Sequence, residues 1–233
     1  MIKKIHILGL ALVTGLASLF ITSCNSDSPG GLEEEPLYDF ATLTGVNDNG
    51  STLEVIRQGD EQPCTFTTPL KVDTTRIPVG DRLLITYVNS NGVSYVSGPI
   101  NLYRYQQVLN GDIEIGTSTE WNSWLTNDVS IYYATRTGKY INVMANVYVL
   151  NAPKTFTIVA DKETLNDEYP NVYLVFLSDT NLEGSMRSGY ASWDISKVWD
   201  LPTCKGIKLH MANIVGDKVL TFAKDNPSIK PID

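Results

Sequence analysis

The sequence predicts an all-β protein built in two blocks behind an N-terminal export signal. Three observations carry this. From residue 37 onward the apolar residues recur with period two, many of them β-branched or aromatic, and no stretch keeps a 3.6-residue apolar period over three turns. Asn-Gly and Thr-Gly pairs fall between the alternating runs, where tight hairpins need positive φ. The one long apolar run lies at the extreme N-terminus. In a chain of 233 residues with 42% apolar and 19% charged residues, there is enough apolar material for a sizeable core and too little charge for a disordered chain. A single apolar run also excludes a multi-span membrane protein.

The export signal comes first. Met1-Ile-Lys-Lys-Ile-His is a basic leader, and Ile7–Phe20 is an apolar run of 14 residues. At ~1.5 Å per helical residue that run reaches roughly 21 Å, short of the ~30 Å hydrocarbon core, so residues 1–23 are expected to be a signal peptide rather than an anchor. Ile21-Thr22-Ser23-Cys24 matches the bacterial lipobox. Cys24 is therefore expected to be the lipidation site, acylated with palmitate-type chains and holding the protein on a membrane, since each buried CH₂ contributes ~0.8 kcal/mol. Asn25 carries no retention signal of the aspartate type, so outer-membrane sorting is expected, with the periplasmic and the surface face both open. Residues 24–37, with Ser, Gly, Pro and Glu33-Glu34-Glu35, form a flexible acidic tether.

The first block spans residues 38–110. Tyr38–Val46 is expected as a strand, Asp48-Asn49-Gly50 as a hairpin turn, and Thr52–Arg57 as the return. Cys64–Leu70 and Arg82–Val88 alternate in the same way, Asn91-Gly92 turns the chain, and Gly98–Leu109 is a long fifth segment. The second block spans residues 111–225. Val129–Arg136 and Lys139–Leu150 flank a Thr137-Gly138 turn, followed by strands at Lys154–Ala160, Asn171–Ser178, Gly189–Asp194, Lys205–Asn213 and Lys218–Ala223. The dense apolar run Asn171–Ser178 is expected to be central. Seven strands at this spacing predict an antiparallel β-sandwich. Leu165–Tyr169 and Ser196–Trp199 fit single helical turns, and residues 226–233 form a patternless tail.

Lipobox, acidic tether, a block opening on Tyr38-Asp39-Phe40-Ala41-Thr42-Leu43, and a second block with Gly189-Tyr190-Ala191-Ser192-Trp193-Asp194 together resemble the NigD-like lipoproteins of Bacteroidetes. Ile77–Tyr87 and Ile207-Lys208-Leu209 match that family's barrel and terminal-strand patterns. The resemblance implies a five-stranded OB-like barrel for the first block and a β-sandwich for the second. It also implies a bacteriocin-immunity-like role, although fold likeness alone does not carry a function.

Residues that could carry chemistry are sparse. After Cys24 there is one histidine, His210, on the polar alternation of its strand and expected on the solvent side. There is no G-x-S-x-G, H-E-x-x-H, C-x-x-C or P-loop, and no ligand set for structural zinc. Asp179–Gly184 matches part of a calcium loop but lacks the closing glutamate, and is expected to be a polar connection. The close carboxylates Asp161/Glu163 and Asp167/Glu168 are expected in solvated turns. Cys64 and Cys204 are expected as free, mostly buried thiols rather than a disulfide. Trp121 and Trp124 are candidate contacts for a ligand or partner, and would equally suit the seam between the blocks. Trp193 and Trp199 suit the core.

The predicted protein is thus non-enzymatic, needs no cofactor or metal, and binds a protein partner at the cell envelope, either immunity-like or as an accessory subunit. The alternative is a glycan- or small-ligand-binding lipoprotein. Nucleic acid is excluded as a partner: without residues 1–23 the chain holds 16 bases against 26 acids, and the first block has no basic cluster.

Overall fold

The computed structural model describes residues 35–58, 62–90, 95–117, 129–149, 154–178, 185–212, 216–225 and 230–231. Residues 34–233 form one compact unit, while the signal peptide, Cys24 and most of the tether lie outside the described residues.

Five strands make the first layer: β1 (Leu37–Asn47), β2 (Gly50–Val55), β3 (Cys64–Thr68), β4 (Arg82–Asn89) and β5 (Gly98–Gln107). They close into a barrel in the order β1-β2-β3-β5-β4, in which only the β3–β5 pair is parallel. This is the OB arrangement. Closure depends on β1, which is long enough to serve both ends of the sheet. Residues 37–42 of β1 pair with β4, residues 41–47 pair with β2, and a register shift between Leu43 and Gly45 bends the strand from one partner to the other. The inward alternation of Ala41, Leu43, Leu53, Val55, Phe66, Leu83, Ile85 and Tyr87 fills the barrel.

Two hairpins differ from expectation by one residue. Asn47 pairs with Gly50, so Asp48-Asn49 is the turn and Gly50 opens β2. Gly50 has φ 129°, and a Cβ there would lie 1.9 Å from the Thr68 carbonyl oxygen. The glycine is required by close approach of β3 as well as by the turn.

The second layer pair comprises β6 (Leu109–Asp112), β7 (Glu114–Gly116), β8 (Val129–Thr137), β9 (Tyr140–Val149), β10 (Lys154–Asp161), β11 (Asn171–Ser178), β12 (Ser185–Asp194), β13 (Gly206–Met211), β14 (Lys218–Ala223) and β15 (Lys230–Pro231). A four-stranded sheet, β6-β12-β9-β8, packs on a six-stranded sheet, β15-β14-β13-β11-β10-β7. The β8–β9 turn is Gly138-Lys139, since Thr137 pairs with Tyr140. The 3₁₀ turn Lys162–Thr164 lies just ahead of the expected Leu165–Tyr169 turn, and α1 (Ser196–Trp199) forms as expected. Within the tail, β15 adds to the edge of β14.

The sandwich is mixed rather than antiparallel throughout. Three pairs run parallel: β6 with β12, β7 with β10, and β11 with β13. The cause is sheet crossing. The chain passes from one sheet to the other at buried Ile113, so β6 and β7 join different edges, and between β11 and β13 it crosses to the four-stranded sheet to form β12. Period two reports which face a side chain takes and says nothing of the direction of the neighbour. Asn110 and Gly111 lie inside β6. β11 is central, as its unbroken apolar run implies. The core between the sheets holds Ile141, Val143, Ala191 and Trp193 from one side and Ile158, Val172, Leu174, Ile207 and Leu209 from the other.

Candidate binding cleft

The outer face of the barrel meets the outer face of the four-stranded sheet. On β1, Tyr38, Phe40 and Thr42 alternate with the inward residues, and on β4 Arg82 and Leu84 do so. On the sheet, Tyr140, Asn142, Met144, Tyr190 and Ser192 alternate with residues of the sandwich core. Phe40 and Tyr190 meet edge to face, with ring centroids 6.5 Å apart.

Arg82 ties the two layers. It is 3% exposed, and its three donor groups reach Ser192 Oγ at 3.0 Å, Thr42 Oγ1 at 3.0 Å and Asn142 Oδ1 at 3.2 Å. Its guanidinium lies 4.2 Å from the centroid of the Tyr140 ring. These acceptors are neutral, so burial dominates and pulls the Arg82 pKa down to about 10, against smaller support from Tyr140, Asp194 and Asp39. The acceptors are themselves linked: Ser192 donates to Asn142 at 2.7 Å, and Asn142 donates to Thr137 at 2.8 Å. A planar fork satisfied on each side suits arginine and would not suit lysine.

Beside this network the seam opens into a cleft of about 450 Å³. Its rim is aromatic: Tyr38 is 68% exposed and Tyr133 46%, with Phe40 and Tyr190 behind them. Its base is polar, with Asp39, Arg57, Gln58, Thr135 and Asn142. Thr135 donates to Gln58 Oε1 at 3.1 Å, joining the barrel to β8. The Arg57 guanidinium stacks 3.3 Å from the centroid of the Tyr95 ring, and Tyr95 itself sits at φ 69°. Asp39 occupies the inward alternation of β1, where Leu37, Ala41 and Leu43 are its neighbours. Tyr87 donates to Asp39 Oδ2 at 2.8 Å. Burial raises the Asp39 pKa above its ordinary value, outweighing the Tyr87 hydrogen bond and the nearby Arg57 and Arg82. Burial also pushes the Tyr87 hydroxyl upward, reinforced by Asp39.

The cleft therefore offers flat aromatic surface above a fixed set of donors and acceptors. Among the described residues that line it, none is a nucleophile hydrogen-bonded to a base. His210 lies on β13 of the six-stranded sheet, where it is half-buried rather than solvent-facing: its Nε2 is 3.0 Å from Asn171 Oδ1 and its ring stacks on Tyr173 at 4.6 Å. Burial, aided by Lys208, holds its pKa below the ordinary imidazole value. The Tyr173 ring that stacks on it is what the alternation alone did not reveal.

The other expected residues sort as follows. Cys64 and Cys204 are free, one half-buried against the barrel core and the other buried in the sandwich core. Asp161 caps the 3₁₀ turn by accepting from the Glu163 amide at 3.0 Å, and Glu168 pairs with Lys205. Trp193 is buried, and Trp199 packs on the same core beneath Arg136 and Lys224. Trp121, Trp124 and the Asp179–Gly184 connection lie outside the described residues. Among the described residues no group of three or more His, Cys, Asp or Glu is placed to hold a metal ion, and no helix is long and apolar enough to cross a membrane. Arg82, Asp39 and Tyr38 were not singled out from the sequence. An acid on the apolar alternation of β1 is the signal that marks Asp39.

No protein-family model and no curated protein matches the chain. Solved structures do. A Bacteroides vulgatus protein of unknown function, DUF1344, superposes with TM-score 0.64 at 14% identity, covering 85% of this chain and 96% of that one. A NigD-like immunity protein from Bacteroides caccae gives 0.52 at 16%, covering 84% and 91%. A candidate lipoprotein from Bacteroides fragilis gives 0.54 at 10%, covering 85% and 98%. At these identities the likeness establishes a shared fold, and the NigD-like resemblance read from the residues is found in the structure at that level.

Proposed function

We propose that this chain is a non-enzymatic lipoprotein of the cell envelope, anchored through Cys24, that binds a protein partner in the cleft between barrel and sandwich. The observation that carries this is the pair of exposed tyrosines, Tyr38 and Tyr133, standing on two different strands at the mouth of a polar-based cleft. Tyrosine and arginine dominate the energetics of protein interfaces, because they bury large area at small entropic loss and keep a polar handle. The acidic balance of the mature chain favours a basic partner, with an association rate that falls as salt rises. The immunity-like role of a fold relative fits a cationic antibacterial protein as that partner.

The test is protection. A strain carrying the gene is challenged with cationic bacteriocins of neighbouring strains, beside a deletion strain, a Cys24→Ala strain and a Tyr38→Ala/Tyr133→Ala strain. Survival falls in all three strains, and fatty-acid-analogue labelling of the protein is lost in Cys24→Ala and kept in Tyr38→Ala/Tyr133→Ala. Labelling that persists without Cys24 removes the anchor. Turnover of an ester, peptide or glycoside substrate that a single carboxylate or serine substitution abolishes overturns the binding reading. The aromatic rim over amide and carboxylate groups also supports a glycan in the same cleft, and a glycan array read with the tyrosine variant separates the two.

A further inference from the structure

A second cavity, of about 660 Å³, opens at the other edge of the four-stranded sheet, where the chain crosses from β6 to β7. Its floor is an aromatic triad. Phe156 stands edge to face with Trp193, ring centroids 5.2 Å apart at 78°, and with Phe176, 6.0 Å apart at 74°. Trp193 and Phe176 are buried, whereas Phe156 is half-buried and contributes open ring surface to the cavity. The mouth carries two carboxylates, Asp112 of β6 and Glu114 of β7, which flank the crossing residue Ile113. Lys197 pairs with Asp112 at 3.1 Å, and the Thr157 hydroxyl donates to Glu114 at 3.2 Å. Counting Lys197, the mouth keeps one net negative charge, and among the described residues no base lines the cavity. Gly111 forms part of the wall. A Cβ there would meet only Trp193 Cδ1, at 4.0 Å, so the space over the floor is open at that point.

We propose that this cavity binds a small organic cation with an aromatic body. The ring packs on Phe156 and its partners, and the ammonium sits between Asp112 and Glu114. Three features favour that ligand over a neutral or anionic one. Aromatic faces carry negative potential and attract both ring edges and cations. The carboxylates repel an anion at the mouth of the cavity. The acidic protein raises the local concentration of cations before contact. The volume is in the range that encloses a small molecule. This site is separate from the proposed partner cleft, although Tyr190 borders both.

The test uses a soluble chain of residues 25–233, which retains the compact unit 34–233. The probes are 4-phenylbutylamine, 4-phenylbutyrate and n-butylamine, read by calorimetric titration. The expected result is that phenylbutylamine binds at least roughly tenfold tighter than either other probe, because only it uses both ends of the cavity. Asp112→Asn/Glu114→Gln lowers its affinity roughly tenfold and removes the preference over phenylbutyrate. Gly111→Leu fills the space above Trp193 and abolishes binding, while its melting temperature shows that the chain still folds. Equal affinity for amine and acid, or full binding by Gly111→Leu, overturns the proposal. So does failure of the wild-type chain to bind phenylbutylamine, including the case in which Trp121→Ala/Trp124→Ala restores binding, because the occupant is then the chain itself.

Discussion

Asp39 shows how one residue can face two requirements. The barrel demands an apolar side chain at its position, and the cleft receives a carboxyl instead. Burial raises its folded pKa above the ordinary 3.8. As pH rises from 3.8, the unfolded chain releases this proton while the folded chain keeps it, so the folded state loses stability until the folded pKa is passed, and the loss persists at higher pH. An asparagine does not titrate and still accepts the Tyr87 hydrogen bond. Asp39→Asn is therefore expected to match wild type in urea unfolding at pH 3 and to exceed it at pH 7. A variant that is less stable than wild type at pH 7 would show that Arg57 and Arg82 stabilise the ionised form more than burial penalises it. The residue was readable as an acid in an apolar alternation. Its consequence was not, because the alternation does not contain Tyr87, 48 residues away.

At the scale of elements, turns and close approaches separate what is local from what is not. The pair Asn49-Gly50 correctly places a hairpin, since turn chemistry is a property of adjacent residues. That Gly50 lies against the Thr68 carbonyl oxygen belongs to the β2–β3 pairing. Gly50→Ala combines a positive φ with an impossible contact and is expected to destabilise by at least about 2–3 kcal/mol. Gly45→Ala is its control: nothing lies within 4 Å of a Cβ at that position, and the change should stay within about 0.5 kcal/mol. Urea midpoints of the two variants decide this, and equal midpoints would remove the packing argument. The short strands β6 and β7 were harder to foresee. Stretches of four and three residues carry almost no periodicity, and both are held by parallel partners more than 40 residues later in the chain.

For the whole molecule, the decisive contact is Arg82 between barrel and sandwich. Each layer has its own apolar cluster, and the seam between them is held by a polar network with aromatic packing beside it. Arg82→Ala removes three hydrogen bonds and leaves a gap, while Ser192, Asn142 and Thr137 continue to bond one another. The expected loss is about 1–3 kcal/mol, felt at the seam more than in either core. Calorimetry is expected to show one unfolding transition for the wild-type chain and two for the variant. One undivided transition at the wild-type temperature would mean that the aromatic packing of Phe40 on Tyr190 couples the layers without the arginine.

The sequence by itself determined the all-β class, most strand positions and the hairpin turns. These follow from properties of neighbouring residues: alternation, turn preference and the residue types present. The tertiary structure alone decided which strands run parallel, which outer faces meet, and hence where both cavities lie. Tyr38 and Tyr133 become one rim, and Phe156 and Asp112 one pocket, only because long-range pairing brings together residues that share no local pattern. The physical reason is that a strand's alternation selects a face, while the energy that selects what covers that face comes from packing between distant segments.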